Sequence, residues 1–226
     1  MKIPFYLKVL SFFQDVLIKE KGSVLNPEMK VYLSSGRLKL VTGHAIYSYE
    51  DKYLNFVEAF NFVNIAHRVT DRVLVLGLGL GSIPYILENQ FKLRLNFTCV
   101  ELDSVVIELY KEFTQEKIKS QINIFQDDGY DYLLKSNDKF DLICMDIFSD
   151  AKIPAQFSTI DFLKLLDKNL SANGILIYNR LAESLQDVDL NVQFDLIFSK
   201  IFPNRKLLKL STNSMFIAEK VIINKD

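Results

Sequence analysis

Glycines and carboxylates recur at one kind of position in this sequence, directly after short apolar runs. The first run, 73–76, is followed by Gly77, Gly79 and Gly81, and a segment of helical periodicity begins at Ser82. Glycine lets the backbone turn tightly and approach a ligand, and the start of a helix offers free N–H groups. The pattern therefore indicates a loop in close contact with a ligand. Its spacing, G-x-G-x-G, departs from the dinucleotide-binding G-x-G-x-x-G, although Gly77 and Gly79 fit the start of that motif.

An acidic residue ends the second apolar run. Glu101 closes the run 97–101, about 20 residues past the glycines, where an acidic side chain can accept hydrogen bonds from both hydroxyls of a ribose. Asp103 suits a different role, as the N-cap of the following helix. Packing offers no comparable reason for a carboxylate at the end of an apolar strand. We therefore expect Glu101 to bind a ribose.

The third and fourth apolar runs also end in acidic residues. Asp127, Asp128 and Gly129 follow the third run, where a carboxylate can accept a hydrogen bond from the amino group of an adenine. Helix capping is the competing explanation. The two explanations weigh about equally for Asp127, whereas ligand binding is favoured for Asp128. Asp146 closes the fourth run, 140–146, and we expect it to face the reacting end of a bound ligand.

These residues need a sheet that brings the ends of several strands together. Short apolar runs alternate with helical segments from residue 71 onward, which predicts an α/β fold with a Rossmann-like, doubly wound and mostly parallel sheet. Ligands of such sheets bind beyond the carboxyl ends of the strands. The last two strands are joined by a turn too short for a parallel crossover, so the last strand should be antiparallel. The seven expected strands are 73–76, 97–101, 122–125, 140–146, 174–178, 205–210 and 215–221, and the helices are 82–90, 105–116, 130–135, 159–170 and 185–201.

The first 68 residues have a different pattern. Residues 5–20 have the spacing of an amphipathic helix, whose wide apolar face packs on the body of the protein or on a second subunit, as in a homodimer. Alternating runs with glycine-bearing breaks between residues 30 and 49 predict β-hairpins, and a helix is expected over 53–67. We therefore divide the chain into a small N-terminal helix and β-hairpin domain, 1–68, and a Rossmann-like domain, 69–226.

Composition narrows the class of function. The 226 residues are 49% hydrophobic and 24% charged, which is ordinary for a globular protein, and the net charge of −1 gives no support for nucleic acid or an anionic membrane as partner. Lys8, Asp15 and Lys19 interrupt the apolar N-terminus, which falls short of the roughly 18 uncharged residues of a spanning helix. Cys99 and Cys144 have no second Cys or His at metal-ligand spacing. We expect a cytoplasmic protein with reduced core thiols, no metal and a small-molecule substrate.

The segment from residue 73 to about 178 resembles the catalytic domain of the spermidine synthase (aminopropyltransferase) family, which has the class I methyltransferase fold. GRLKLVTGHAIYSYEDKY, further upstream, is more faintly similar to the N-terminal β-domain of that family. The motifs that carry the main resemblance are VLVLGLGLGS, VELDSVVIELYKEF, DDGYDYL, KFDLICMDIFSD and FSTIDFLKLLDKNLSANGILIYN.

This resemblance implies a role for each residue at the strand ends. The cofactor would be S-adenosylmethionine or decarboxylated S-adenosylmethionine. Asp146 matches the family's catalytic aspartate, which helps to bind and deprotonate an amine before its lone pair attacks the carbon next to a sulfonium. The residues implied to contact the cofactor are Gly77, Gly79 and Gly81 at its methionine-like portion, Glu101 at the ribose, and Asp128 with Gly129 at the adenine.

The sequence departs from that family where the amine groups bind. Leu80 stands in place of the acid near the aminopropyl nitrogen, and Ile46 stands where a glutamine is expected. Each charge of a polyamine left unpaired in a buried cleft costs several kcal/mol. We therefore expect a divergent transferase, moving a methyl or an aminopropyl group, rather than a true polyamine synthase. The alternative hypothesis is a non-catalytic relative of the same fold that binds a ligand or serves as a scaffold.

Overall fold

Among the residues that the structure describes, the strands form two β-sheets, one of four strands and one of seven. A computed structural model of the protein describes residues 3–43, 45–68, 71–149 and 152–220. The predicted division between residues 68 and 69 falls beside residues 69 and 70, which lie outside the described residues, so the two-domain organisation stays a prediction.

The four-stranded sheet lies in the N-terminal part and is antiparallel throughout. A short helix, α1 (Phe5–Leu10), precedes it. Ser35 and Gly36, both with positive φ, form the two-residue turn between the second and third strands, which is the hairpin chemistry that the alternating pattern predicted. The strands, neighbours in chain order, are β1 (Val16–Glu20), β2 (Met29–Ser34), β3 (Arg37–Thr42) and β4 (Ala45–Ser48).

The predicted helix over residues 5–20 is wrong in its second half. Helix α1 ends at Leu10, and β1 instead pairs antiparallel with β2. The reason is that β2 offers an open edge to a segment that begins Val-Leu-Ile, so that long-range strand pairing overrides a local helical spacing. Phe5 and Phe13 are 80% and 84% exposed and do not pack on the body of the protein. Packing of this apolar face on a second subunit stays a prediction.

The seven-stranded sheet confirms the doubly wound, mostly parallel architecture. Its order is β10-β11-β9-β8-β5-β6-β7, and β11 runs antiparallel to both of its neighbours, β9 and β10, as expected of the last strand. Val221, the predicted end of that strand, lies outside the described residues. The strands are β5 (Arg72–Leu76), β6 (Asn96–Glu101), β7 (Gln121–Gln126), β8 (Phe140–Met145), β9 (Leu170–Leu181), β10 (Lys206–Lys209) and β11 (Asn213–Glu219).

Helices cover both faces of this sheet. α2 and α3 bury their apolar residues against one face, and α5, α6 and α7 bury theirs against the other. The predicted helix 53–67 is shorter than expected because Asn64 adopts a left-handed conformation, with φ 58°. The helices are α2 (Leu54–Phe62), α3 (Ser82–Asn89), α4 (Ser104–Phe113), α5 (Gly129–Lys135), α6 (Ile160–Asn169) and α7 (Leu185–Ile201).

Helix α4 and one residue of the glycine loop join the two sheets. Val106, Leu109 and Phe113 of α4 pack with Leu80 against the apolar face of the four-stranded sheet. This cluster holds the N-terminal sheet beside the carboxyl ends of the parallel strands, where the predicted site lies.

Candidate active site

Six of the seven residues predicted to form the site line one cavity of about 300 Å³, here called the first cavity. They lie at or just beyond the carboxyl ends of β5, β6, β7 and β8, which are neighbours in the parallel part of the sheet. The expected convergence of strand ends is therefore present in the fold. These six residues are Gly77, Gly79, Glu101, Asp128, Gly129 and Asp146.

Gly81, the seventh predicted residue, does not line the first cavity. It precedes α3 with φ 79°, and a Cβ atom at this position would lie 2.8 Å from a ring carbon of Tyr110. Glycine is therefore required there for close packing of the loop on α4, and contact of Gly81 with a ligand stays a prediction. At Gly77, where φ is 92°, a Cβ would collide with the carbonyl oxygen of Asp146. That glycine lets the ends of β5 and β8 approach each other at the floor of the cavity.

Glu101 is fixed by backbone donors at the end of β6. The N–H of Leu78 donates to Oε2 and the N–H of Asp103 donates to Oε1, each at 3.0 Å. Burial raises the pKa of the Glu101 carboxyl, although these N–H groups favour the charged form. A carboxylate oxygen can accept more than one hydrogen bond, so both oxygens can also accept from a vicinal pair of hydroxyls in the cavity.

Asp103 is confirmed as the N-cap of α4, because its Oδ1 accepts from the N–H of Val105 at 2.9 Å. Its other oxygen accepts hydrogen bonds from the side chains of Ser23 and Asn26. Asn26 lines the first cavity together with Leu25. These hydrogen bonds to Asp103 hold the loop between β1 and β2 at one side of the cavity.

Asp128 combines the two roles that the sequence left in competition. Its Oδ1 caps α5 by accepting from the N–H of Tyr130 at 2.7 Å, and its Oδ2 accepts from Nε2 of Gln156 at 3.0 Å in the wall of the first cavity. Asp127 also lines the cavity but does not cap the helix, and its carboxylate pairs with Lys135 at 3.3 Å. Capping therefore belongs to Asp128, and the contact of either residue with an adenine stays a prediction.

The Asp146 carboxyl is held through one of its oxygens. Oδ1 accepts from the hydroxyl of Tyr53 at 3.2 Å and from Nδ2 of Asn179 at 2.8 Å. Among the described residues, none donates a hydrogen bond to Oδ2. Burial, with a smaller contribution from the negative charge of Glu101, raises the pKa of Asp146 to about 7, although the two hydrogen bonds act in the opposite direction. At neutral pH this carboxyl can therefore take up or release a proton at Oδ2.

Tyr53 and Asn179 were missed by reasoning from the sequence. Tyr53 lies at the N-terminal boundary of α2, and local spacing gives no signal that its hydroxyl reaches the end of β8. Asn179 did carry a signal, because it is a polar residue directly after the apolar run 174–178 and is buried inside β9. The rule that identified the other strand-end residues would have identified this one.

A second cavity, of about 470 Å³, lies beside the first. Tyr47, Tyr53 and Phe148 line both cavities. Asp146 lines the first cavity and its hydrogen-bond partner Asn179 lines the second. The carboxyl that can exchange a proton near neutral pH therefore lies where the two cavities meet.

The two cavities differ in charge. Five carboxylates line the first cavity, and none of its described lining residues is a lysine, arginine or histidine. Such a wall favours a cationic ligand. The second cavity is lined by Lys52, Glu58 and Glu183, all of which are exposed, beside aromatic and amide side chains. The five carboxylates of the first cavity belong to Glu101, Asp103, Asp127, Asp128 and Asp146.

The two residues noted as departures have different surroundings. Leu80 is 1% exposed and packs between α4 and the four-stranded sheet, so its side chain does not line the first cavity. Ile46 is half exposed and lines the second cavity. An apolar side chain therefore stands in the second cavity where the resemblance suggested an amide.

Metal binding and membrane insertion are two further properties to consider for the described residues. No group of three or more His, Cys, Asp or Glu side chains in that part of the chain is arranged to hold a metal ion. No helix in the same ranges combines the length and apolar character needed to cross a membrane.

Sequence comparisons give a consistent family. Residues 59–207 match the spermine/spermidine synthase domain. A probable polyamine aminopropyl transferase of Bifidobacterium longum (strain NCC 2705) is 28% identical over 151 residues, which cover 65% of this chain and 33% of that protein. The polyamine aminopropyltransferase of Vibrio vulnificus (strain CMCP6) is 27% identical over 117 residues, which cover 50% of this chain and 39% of that protein. The matches thus span about a third to two fifths of the length of these relatives.

Solved structures share the fold at low sequence identity. The spermidine synthase from Thermotoga maritima superposes with a TM-score of 0.70 at 18% identity, covering 92% of this chain and 74% of that one. Human methyltransferase-like protein 13, in complex with SAH, gives a TM-score of 0.60 at 20% identity and covers 72% and 77% of the two chains. These similarities confirm the methyltransferase-like fold that the sequence predicted.

Proposed function

Since this chain belongs to the spermine/spermidine synthase domain family, we propose that it transfers an aminopropyl group from decarboxylated S-adenosylmethionine to a small amine. The observation that carries the proposal is the Asp146 carboxyl. Its pKa is about 7, its Oδ2 accepts from none of the described residues, and it lies where two cavities meet. A proton acceptor in that position can serve a reaction between one molecule in each cavity.

The charge of the first cavity supports the decarboxylated donor. Decarboxylated S-adenosylmethionine carries a sulfonium and an ammonium group, whereas S-adenosylmethionine carries a carboxylate as well. Five carboxylates and no described cation line the cavity, so that extra carboxylate would be buried without a partner. When bound, the donor supplies a carbon made electrophilic by its sulfonium neighbour.

The same cavity offers a partner for each part of the adenosyl group. We assign the ribose hydroxyls to Glu101, whose two oxygens are already oriented by backbone N–H groups. We assign the adenine to Asp128 and Gly129, and the portion beyond the sulfur to the backbone at Gly77 and Gly79.

Asp146 then acts as the base. Its Oδ2 accepts the proton that the acceptor amine must lose for its nitrogen lone pair to bond to carbon. The carbon–sulfur bond breaks as the nitrogen–carbon bond forms, and methylthioadenosine is the other product. Because Oδ1 is held by Tyr53 and Asn179, Oδ2 is the oxygen left for the amine.

We place the acceptor amine in the second cavity. Its reacting nitrogen would lie near Asp146, and a second ammonium group would lie near Glu58 or Glu183 in the cavity wall. These two carboxylates supply a charge partner that the sequence motifs did not reveal. Because both are exposed, they would contribute modestly to affinity.

One experiment distinguishes aminopropyl transfer from the other two hypotheses, a divergent transferase and a non-catalytic relative. Purified protein is incubated with decarboxylated S-adenosylmethionine and a panel of mono-, di- and triamines, and methylthioadenosine is quantified. Release of methylthioadenosine that depends on one amine supports aminopropyl transfer. Tight nucleoside binding without release in any mixture would favour the non-catalytic relative. A cytoplasmic location stays a prediction.

The proposed donor leads to a prediction about relative binding affinity. We expect decarboxylated S-adenosylmethionine to bind at least 10-fold more tightly than S-adenosylmethionine, because the latter's carboxylate finds no cation in the first cavity. Isothermal titration calorimetry at low salt measures the dissociation constants of both donors. Methylthioadenosine, which lacks the sulfonium, ammonium and carboxylate groups, serves as the uncharged reference. Equal affinity for the two donors would contradict the assignment of the cavity's charge.

The apolar surface around α1 supports a proposal of a homodimer. Phe5, Tyr6, Phe12 and Phe13 are each at least 66% exposed. Together they present roughly 600 Å² at about 200 Å² per aromatic side chain, close to the ~800 Å² that each partner buries in a standard interface. Lys8 is the only charged residue between positions 3 and 14, so two copies of this surface would bring few like charges together.

The corresponding experiment compares two exposed apolar residues. Phe13→Asp should convert a dimer into a monomer in light scattering at tens of micromolar, whereas Leu196→Asp, at a 63% exposed position on α7, should leave the dimer intact. A wild-type protein that is monomeric at that concentration would contradict the proposal.

A further inference from the structure

A chain of buried amides leads from the turn between β10 and β11 to Asp146. Nδ2 of Asn179 donates to Asp146 Oδ1, and Nδ2 of Asn213 donates to Oδ1 of Asn179, both at 2.8 Å. Oγ1 of Thr212 donates to Oδ1 of Asn213 at 2.8 Å. Asn179 and Asn213 are 1% and 9% exposed, and both also line the second cavity.

We propose that Asn213 is a positioning residue that fixes the orientation of the Asn179 amide, so that Asn179 always presents its NH₂ group to Asp146. The significance of this for catalysis rests on the proposed function, but the orientation itself does not. An asparagine amide has a donor end and an acceptor end of similar size, and its neighbours decide which end points where. The NH₂ group of Asn213 donates to the carbonyl oxygen of Asn179, which leaves the NH₂ group of Asn179 to face Asp146.

The sheet register explains why these two asparagines meet. β11 runs antiparallel to β9, with Asn213 opposite Leu181 and Met215 opposite Asn179. Asn179 and Asn213 are therefore diagonal neighbours on the same face of the sheet, and the hydrogen bond between their side chains spans this separation. The chain of amides thus follows from the antiparallel placement of the last strand.

A fixed amide has a direct consequence for the protonation of Asp146. A donor facing the carboxyl stabilises its charged form, whereas a rotated Asn179 would turn its carbonyl oxygen towards Asp146 and accept a hydrogen bond from the O–H of the neutral acid. In the wild type that rotation would bring the NH₂ groups of Asn179 and Asn213 together, which disfavours it. By preventing this rotation, Asn213 keeps the carbonyl oxygen of Asn179 from accepting a hydrogen bond from the neutral form of Asp146.

The other groups that act on Asp146 do not replace this effect. Tyr53, from the start of α2, donates to the same oxygen, and Glu101, from the end of β6, repels the charged form. Cys144, in β8, is a buried thiol whose pKa is raised by burial and by Asp146. Lys52, Glu58 and Glu183 line the second cavity and are exposed. Hydrogen bonds from Tyr53 and Asn179 therefore keep the Asp146 pKa as low as about 7.

The test is a titration that does not require enzymatic turnover. Protein labelled with ¹³C at the aspartate carboxyl carbon is followed by NMR between pH 4 and pH 9, and the Asp146 signal is identified by its loss in Asp146→Asn. Asn213→Leu removes the donor without adding charge, and we expect the Asp146 midpoint to rise by about one pH unit. Thr212→Val, which leaves the Nδ2 donor of Asn213 in place, should move it by much less.

Two further results complete the test. If Asn213→Leu does not fold, Asn213→Ala is used, with the same expected direction. If the wild type is active, the acid limb of kcat/KM should move upward by the same amount as the NMR midpoint, with little change in methylthioadenosine affinity. An Asp146 midpoint that stays at the wild-type value in a folded Asn213 variant overturns the proposal. Absence of amine-dependent turnover in the wild type, with the NMR shift present, overturns only the proposed function.

Discussion

Replacing Asp146 with asparagine is expected to lower the rate of aminopropyl transfer by about 10²–10⁴-fold, the range that a positioned general base contributes. The variant keeps the shape of the side chain and an oxygen that accepts from Tyr53 and Asn179, but it loses the atom that takes the proton. Methylthioadenosine affinity should stay within a few-fold of the wild type. The rate is measured from methylthioadenosine release at saturating donor and acceptor.

The same variant has a second expected effect, on stability. The pKa of Asp146 is raised from an ordinary value of 3.8 to about 7 in the folded protein, so the folded state binds this proton more tightly than the unfolded state. That contribution to stability is fully present below about pH 4 and is lost as the pH rises through about 7. Asp146→Asn should therefore unfold at a higher temperature than the wild type at pH 8, and the difference should shrink towards pH 4.

A surface substitution serves as the control for this variant. Asp161→Asn makes the same change of charge at a 74% exposed side chain that pairs with Lys164, and it should alter neither the rate nor the pH dependence of stability. Retention of more than a tenth of the wild-type rate by Asp146→Asn would show that Asp146 is not the base.

The second large effect is expected on nucleoside binding. Glu101→Gln should weaken methylthioadenosine binding by about 10–100-fold, because a hydrogen bond to a charged acceptor contributes roughly 1.5–3 kcal/mol. The amide also places an NH₂ group against the N–H of Leu78 or Asp103, each of which donates a hydrogen bond to the carboxylate in the wild type. Calorimetry on the folded variant measures the loss directly.

Asp127→Asn is the matched control for Glu101→Gln. It removes one negative charge from the same cavity, but Asp127 pairs with Lys135 and is assigned no ribose contact. A loss of less than about threefold in this variant would identify the larger loss in Glu101→Gln as specific to the ribose. Equal losses in the two variants would mean that Glu101 acts through the charge of the cavity alone.

The strand ends could be predicted from the sequence because parallel strands converge at one edge. An apolar run that stops at Glu101 or at Asp146 predicts both a strand and the position of its carboxyl end. The first cavity lies at these strand ends. Gly81 shows the limit of this rule. It belongs to the same glycine-rich loop, but its surroundings are set by Tyr110 of α4, which is distant in sequence.

The contacts between the two sheets could not be predicted in the same way. Tyr53 reaches Asp146 only because α2 packs on the parallel sheet, and residues 16–20 form a strand only because β2 offers an edge to pair with. Leu80 is a related case. Its side chain packs against a four-stranded sheet whose position beside the loop follows from tertiary packing rather than from local pattern.

The most direct test of the account is the position of methylthioadenosine in a crystal of the complex. We expect both ribose hydroxyls within hydrogen-bond distance of Glu101, the adenine against Asp128 and Gly129, and the sulfur at the end of the first cavity next to Asp146. A nucleoside bound in the second cavity, or one bound with Glu101 contacting no part of the ribose, would contradict the account.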